Sequence, residues 1–492
     1  MKRCLLCLMI VMVLLAGCQK KVDCVSHLDS DQDLVCDTCQ QSVLVFVDFY
    51  TVNDLHGKLA DSDTHPGVDE LSTFLKVMEA NDDHSIFLSA GDMWQGSAES
   101  NLTNGRIITD WMNGMGFAAM TLGNHEFDWG EESVQRNASA AEFPLLAINV
   151  YDRHTDARVT YCQASTVVDL GSIQIGIIGA IGDCYSSISP EKVEDVYFKT
   201  GSELTALVKA ESQRLRDSGV ELVIYSLHDG YGGSGGSMIS DGKLSSYYDI
   251  SLSDGYVDLV FEGHTHQKYL LQDSYGVYHV QNGGDNKGIS YVELAYNTVT
   301  GDCSVTDSQL ISTDVYENLP DDPMIGQLLD RYAEEIAKAN EVLGTNSTKR
   351  NRNYLRQLAS ELYLQAGQET WGEDYDIVLA GGFFSVRSPG YLDSGEITYG
   401  MLQSLFPFDN ELVLCSIRGQ DLLDRFLNTN NENYFITRAD HRKIDPNGTY
   451  YIVVDSYTST YAPNRLTEVA RLGANVYARD LLADYIAAGG ME

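Results

Sequence analysis

Positive charge is what this 492-residue chain has least of: 33 Lys and Arg stand against 71 Asp and Glu, a formal net charge of -38. A surface that acidic repels a polyphosphate backbone, which excludes nonspecific binding to DNA or RNA polymers. A small anionic ligand would need local cations, and bound metal ions would supply them. Beyond its N-terminus the chain also lacks any run of about 18 consecutive apolar residues, so no second membrane span is expected. It has no internal repeat and no low-complexity segment, which excludes a solenoid or a repeat array.

What is present is ordinary globular composition, 43% hydrophobic and 21% charged, in a chain long enough for two substantial domains. At the start, Lys2 and Arg3 precede an apolar run from Cys4 to Leu15, the pattern of a signal-peptide core. It ends in Leu15-Ala16-Gly17-Cys18, which resembles a bacterial lipobox. The expectation is removal of residues 1–17, lipid modification of Cys18 and attachment at the outer face of the cell membrane; an ordinary cleaved signal is the alternative. Of the remaining cysteines, Cys24, Cys36 and Cys39 are clustered, while Cys162, Cys184, Cys303 and Cys415 are scattered as core residues or bridges that spacing cannot pair.

Residues 18–42 read as a tether. They contain Cys24-x2-His27, alternating Asp29, Asp31 and Asp33, and Cys36-x2-Cys39. Three thiols and an imidazole would suit zinc, the aspartates would suit calcium, and a plain polar spacer is the third reading. From residue 43 the pattern becomes one of buried strands. Val43–Val47, Ile86–Leu88, Val223–Leu227 and Leu259–Phe261 are short apolar runs, separated by helix-like stretches such as Val68–Ala80 and Glu203–Asp217. This α/β domain is expected to span 43–319. Residues 321–343 read as one long linker helix after the cap Asp321-Asp322-Pro323, within a connecting segment 320–344. A second, smaller α/β unit follows over 345–492.

Five turns, each just after a strand-like run, hold metal-type side chains: Asp54-Leu55-His56, Gly91-Asp92, Gly123-Asn124-His125-Glu126-Phe127-Asp128, His228, and Gly263-His264-Thr265-His266. Ligands of open α/β sheets gather beyond the strands' carboxyl ends, so these positions can share one crevice. Any one of them alone would read as a capped turn. Five of the chain's 11 histidines in such turns argue for convergence. The run Gly230-Tyr231-Gly232-Gly233-Ser234-Gly235 fits a dinucleotide fingerprint by spelling, but no helix follows, and it reads as a loop.

These motifs together resemble the calcineurin-like metallophosphoesterases, and Asn53-Asp54-Leu55-His56-Gly57 with Gly-Asn-His-Glu-Phe-Asp at 123–128 resembles their 5'-nucleotidase branch. The resemblance covers residues 43 to about 310. It implies a four-layer α-β-β-α domain with two divalent metal ions. One ion would be held by Asp54, His56, Asp92 and His266, the other by Asp92, Asn124, His228 and His264, with Asp92 bridging. Some relatives carry Gln where this chain has His266. Mixed imidazole and oxygen donors suit Zn, Mn, Fe or Co. His125 would stabilise charge on the phosphoryl group or leaving oxygen and Asp128 would orient it; a local turn hydrogen bond is the alternative. Phosphate monoesters need a barrier reduction on the order of 20 kcal/mol, and two cations about 3.5–4 Å apart are a known means of supplying much of it.

The second unit resembles the 5'-nucleotidase substrate-binding domain less strictly. The resemblance implies that Arg387 contacts an anionic group, that Phe408 of Phe406-Pro407-Phe408-Asp409-Asn410 stacks on the base with Asn410 also in the substrate site, and that Tyr457 completes an aromatic pair. Phe408 and Tyr457 could equally be core aromatics. Arg350, Arg352 and Arg356 are further candidate anion contacts. The family's Asn-x-Gly-Gly-Ile-Arg run is replaced by Ala380-Gly381-Gly382-Phe383-Phe384-Ser385-Val386-Arg387, which puts nucleotide specificity in doubt. The expected activity is extracellular hydrolysis of nucleoside 5'-phosphates by a monomer. Alternatives are a 2',3'-cyclic phosphodiesterase, a nucleotide-sugar hydrolase, or a non-catalytic nucleotide-binding lipoprotein.

Overall fold

The computed structural model describes residues 27–61, 66–230, 248–387, 389–428, 434–461, 465–472 and 477–491. The expected signal segment, Cys18, Cys24 and the loop from Tyr231 to Gly235 lie outside the described residues.

Apart from a short pair at Val150–Asp152 and Val196–Phe198, the strands of the first unit are β1 (Leu44–Val52), β2 (Ser85–Ser89), β3 (Ala119–Thr121), β4 (Leu145–Leu146), β5 (Ser165–Asp169), β6 (Gln174–Ile181), β7 (Leu222–His228), β8 (Leu259–Glu262), β9 (Lys268–Gln272), β10 (Tyr278–Asn282), β11 (Gly288–Asn297) and β12 (Cys303–Ser312). They form two six-stranded sheets, ordered β12-β11-β1-β2-β3-β4 and β9-β10-β8-β7-β6-β5. β1 through β4 run parallel, as do β6, β7, β8 and β10, while β5, β9, β11 and β12 pair antiparallel with their neighbours.

Both faces of each sheet are covered, which is why these strands read as continuous apolar runs. Between the sheets, Val47, Phe49, Ile86 and Leu88 meet Ile175, Ile177, Ile224 and Phe261. On the outer face of the first sheet lie the helices α1 (Asp69–Asn81) and α2 (Arg106–Met115), through Leu71, Leu75, Ile108, Trp111 and Met112. On the outer face of the second lies α3 (Gly201–Asp217), through Leu204, Val208 and Leu215. The layers are therefore α-β-β-α, as the resemblance implied.

The stretch expected as one linker helix is two. Asp322 caps α4 (Pro323–Arg331) through Met324 N–H at 2.9 Å, with Pro323 in the first turn as expected. The chain then leaves helical geometry at Tyr332 (φ -106°, ψ 32°) and resumes as α5 (Ala333–Ala339). Asp110 is the anchor at the break: its Oδ2 accepts from Arg331 Nη1 and from the Tyr332 hydroxyl, each at 2.8 Å. Ile325 and Leu328 of α4 join the core of the first unit, so α4 is packed on that unit rather than spanning a gap.

The second unit begins its main element with α6 (Arg352–Trp371), which packs on a five-stranded sheet of β13 (Ile377–Gly382), β14 (Leu412–Arg418), β15 (Phe435–Arg438), β16 (Thr449–Asp455) and β17 (Thr467–Arg471). The sheet order is β15-β13-β16-β14-β17. Two apolar clusters, one on each face, hold it. Cys162, Cys184, Cys303 and Cys415 are free thiols, so the scattered cysteines make no bridges. Among the described residues no helix is long and apolar enough to cross a membrane.

Candidate functional site

Five strand-end turns of the first unit meet at one end of the two sheets, and backbone hydrogen bonds zip them together. Asp54 N–H donates to Gly91 C=O at 2.9 Å and His56 N–H to Asp92 C=O at 3.1 Å. The Asp54 carboxylate accepts His264 N–H on both oxygens, at 2.9 and 3.0 Å, and the Asn53 amide at 2.7 Å. Asp92 Oδ1 accepts His125 N–H at 2.8 Å. Asp54, His56, Asp92, His264 and His266 all have positive φ, between 51° and 68°. Such conformations cost on the order of 1–3 kcal/mol each in a residue with a side chain, and persist only where surrounding structure enforces them.

Gly91 and Gly123 are required by close approach. A Cβ on Gly91 would lie 2.5 Å from His228 Nδ1, and one on Gly123 would strike Asp92 Oδ1. Either substitution would drive a side chain into the cluster.

Asp54, Asp92 and His228 are almost fully buried, and so are His56 and Asn124. His228 Nδ1 donates to Ala90 C=O at 2.6 Å, which turns its Nε2 toward Asp92 Oδ2 at 3.1 Å. Likewise His56 Nδ1 donates to Gln95 C=O at 2.8 Å, leaving Nε2 facing His266 Nε2 at 3.1 Å. Two lone-pair nitrogens this close need a shared proton or a cation between them. Asn124 Oδ1 is buried with no hydrogen-bond partner among the described residues. The ligand atoms of Asp54, His56 and His266 lie within 4.8 Å of one another, and so do those of Asp54, Asp92 and His228. This donor set fits divalent cations.

The electrostatics agree. Burial alone would discharge His228, yet the Asp92 carboxylate, by charge and hydrogen bond, pushes its pKa up to about 10. Asp92 stays well below the ordinary carboxylate range despite burial, chiefly because of His228 and then His125. His56 falls to about 3 through burial and the charge of His266, and His264 falls to about 4 through burial and His228. An ionised Asp92 beside His56 and His264 kept neutral suits a bound cation, and the proton held on His228 would leave as that cation binds.

A residue the sequence reading named only as part of a motif proves central. Glu126 is buried, and its carboxylate accepts four backbone N–H groups: Asp92 (2.9 Å), Met93 (2.8 Å), Trp94 (3.2 Å) and Gly123 (2.6 Å). It ties the Asp92 turn to the Asn124 turn. Burial and the nearby Asp92 push its pKa up to about 7 against those N–H groups.

His125 Nδ1 donates to Asp128 Oδ2 at 2.7 Å, which fixes the tautomer and leaves Nε2 as an acceptor. That acceptor is met from the second unit by Arg387 Nη2 at 2.5 Å. The Arg387 guanidinium lies 5.3 Å from the Phe408 ring centroid, and Phe408 lies 6.0 Å from the His125 ring. A cavity of about 390 Å³ opens here between the units, lined by Asp92, Asn124, His125 and His264 on one side and Arg387, Phe408, Asn410 and Tyr457 on the other. A second cavity of about 360 Å³, on the other side of Arg387, brings Lys58, Arg352 and Arg356 beside His56 and His266. Arg350 is elsewhere, bonded to Asn346 at 3.3 Å and set over the Tyr354 ring.

The altered run at 380–387 also has a reason. Phe384 is buried, with φ 39°, and lines the cavity together with Phe383, whose ring meets Tyr457 edge-on at 5.8 Å. The extra residues thus add an aromatic to the cavity wall, a contribution that spelling alone did not reveal.

A strand-end cluster of carboxylates, histidines and an asparagine, in an α-β-β-α domain, defines a dinuclear metal phosphoesterase class. Residues 50–268 match the family described as calcineurin-like phosphoesterase, which marks this part of the chain as a domain of phosphoric ester hydrolases. More narrowly, it is 24% identical over 403 residues to a 5'-nucleotidase of Vibrio vulnificus (strain CMCP6), covering 73% of this chain and 69% of that one. It is also 24% identical over 482 residues to the endonuclease YhcR of Bacillus subtilis (strain 168), covering 86% of this chain but only 38% of that longer protein. The 5'-nucleotidase precursor from Thermus thermophilus shares the fold, with a TM-score of 0.68 at 18% identity over 90% of this chain and 96% of that one.

Proposed function

We propose that this chain is a metal-dependent hydrolase that converts nucleoside 5'-phosphates to nucleoside and phosphate. In this reading Asp54, His56, Asp92 and His266 hold one divalent ion, and Asp92, Asn124, His228 and His264 hold the other. When bound, the ions supply a nucleophile near neutral pH and neutralise phosphoryl charge. The chain's own residues do the rest. His125, with its tautomer set by Asp128, offers Nε2 to the developing charge at the leaving oxygen. Arg387 occupies that nitrogen here, so an incoming phosphate displaces it and takes up the guanidinium instead. Phe408 and Tyr457 hold the base from opposite parts of the wall, each stacking contact contributing roughly 1–3 kcal/mol.

The observation that supports the reading most is the shared cavity: the candidate metal ligands and the Arg387, Phe408 and Tyr457 wall face one space. Export and anchoring through Cys18, with a role in nucleotide scavenging, complete the proposal. The test is phosphate release by the chain from residue 19 onward, measured on 5'-mononucleotides, 2',3'-cyclic nucleotides and nucleotide sugars, before and after chelation. Metal-dependent release from 5'-monophosphates is expected. Release from cyclic or sugar nucleotides alone would move the specificity, and binding without turnover by metal-replete protein would refute hydrolysis.

A further inference from the structure

The short segment before β1 holds a second cluster of metal-type side chains that hydrolysis does not use. His27, Cys36 and Cys39 place their nitrogen and sulfur atoms within 4.8 Å of one another. Cys39 Sγ lies 3.5 Å from His27 Nδ1. Thiolate and imidazole on one tetrahedral zinc ion, at the usual bond lengths, stand about 3.5 Å apart. The two cysteines sit in a tight turn closed by Gln40 N–H on Cys36 C=O at 2.8 Å, and Asp37 N–H on Leu28 C=O at 2.7 Å brings the His27 end against it. The bridge Val35↔Ser42 and the bond from Val43 N–H to Leu34 C=O at 3.0 Å join this turn to β1.

Hydrophobic burial cannot be what orders this segment. Its leucines are exposed, Leu28 by 55% and Leu34 by 45%, while Cys36 is wholly buried. Leu34 also adopts φ 66°, a conformation a leucine does not hold without an external constraint. Two of the neighbouring aspartates serve the turn itself: Asp29 accepts Asp33 N–H and Leu34 N–H on its two oxygens, and Asp37 accepts Ser30 N–H. Soft sulfur donors beside an imidazole select zinc over the hard cations that carboxylates would take.

We propose that His27, Cys36 and Cys39 hold a structural zinc ion that fastens the segment preceding β1 to the phosphoesterase domain. The site lies before the start of β1, whereas the hydrolytic cluster lies beyond its carboxyl end, so the ion fixes the chain's entry into the domain and takes no part in turnover.

Cobalt titration of the full chain, reduced and stripped of metal, tests this. The candidate hydrolytic ligands include no thiolate, but Cys184 Sγ lies within 4.8 Å of His228 and His264, so a thiolate-to-cobalt charge-transfer band, read independently of any activity, is assigned by variants at both places. The band is expected in the unaltered chain and absent in both Cys36→Ser and Cys39→Ser, with cobalt bound per chain falling by one. The near-ultraviolet circular dichroism of buried Trp94 and Trp111 should be unchanged, which shows that both variants are folded. Cys184→Ser, whose thiol instead donates to His228 C=O at 3.0 Å, should keep the band. No band in the unaltered chain, a band surviving both Cys36→Ser and Cys39→Ser, or a band lost in Cys184→Ser would overturn the proposal. So would a Cys36–Cys39 disulfide in chain isolated without reductant.

Discussion

The two walls of the interdomain cavity are built on different principles. The phosphoesterase wall consists of short turns at strand ends, in left-handed backbone, with side chains locked by buried hydrogen bonds to neighbouring turns. The opposite wall consists of half-buried side chains, with the Arg387 guanidinium over the Phe408 ring and Tyr457 edge-on to Phe383. The first wall is preorganised for charge; the second adapts to shape. Rigid placement suits groups that must act on a reacting centre, while softer placement suits recognition of a variable base.

If that division holds, substitutions on the first wall should act on turnover and those on the second on substrate capture. The largest effect is expected from Asp92→Ala, which removes the carboxylate that the proposed reading places on both ions. We expect kcat/KM to fall by about 10⁴-fold, on the order of 5 kcal/mol, together with loss of bound metal measured by elemental analysis. His125→Ala should lower kcat by about 10²–10³-fold while metal content and KM hold. A matching loss of metal would instead make His125 a structural part of the cluster. Phe408→Ala should raise KM for a nucleoside monophosphate about tenfold and leave a small non-nucleotide phosphomonoester unaffected. An equal change for both substrates would erase the distinction between the walls.

Glu126→Gln sharpens the comparison from behind the first wall. An amide oxygen can accept from only part of the four N–H groups that the carboxylate takes, and its NH2 opposes the rest. The expected result is a loss of roughly 1–3 kcal/mol in the thermal stability of the first unit and weaker metal retention by about tenfold. The smallest effect lies away from the cavity. Asp69, half buried beside Asp61, Asp321 and Glu70, has its pKa pushed up to about 7, first by burial and then by those charges. The folded chain keeps this proton where the unfolded chain has lost it. Its contribution to stability is therefore full below the ordinary carboxylate range and falls as pH rises toward 7. Asp69→Asn should raise the first unfolding temperature by about 1–3 °C at pH 8, after allowing for solvent screening, and change little at pH 4.

Legibility in the sequence followed the same division. The phosphoesterase wall could be read because each of its five turns is punctuated by its own strand: an apolar run, then Asp, Asn or His as candidate ligands. Buried parallel strands make that signal strong, and all seven candidate ligands come to one end of the sheets. The role of Glu126 was not readable, since four backbone partners leave no trace in spelling. On the other wall, Phe383 was hidden inside an altered motif, and the choice among Arg350, Arg352 and Arg356 needed α6, which turns the latter two to the cavity. The break at Tyr332 was invisible to periodicity because apolar spacing continues through it. At the break, Arg331 and Tyr332 are held by Asp110, more than 200 residues earlier, a partner that spacing cannot show.

The contrast between the chain's net charge of -38 and the arginine-lined cavity has a kinetic consequence. A dianion diffusing toward this protein climbs a repulsive field for most of its approach and meets attraction only within the last few ångströms. Dissolved ions shorten the reach of the outer field to about 10 Å at 0.1 M, whereas contacts inside a cavity are screened far less. Capture of phosphate esters should therefore quicken as salt rises from very low concentration, the reverse of an electrostatically guided encounter.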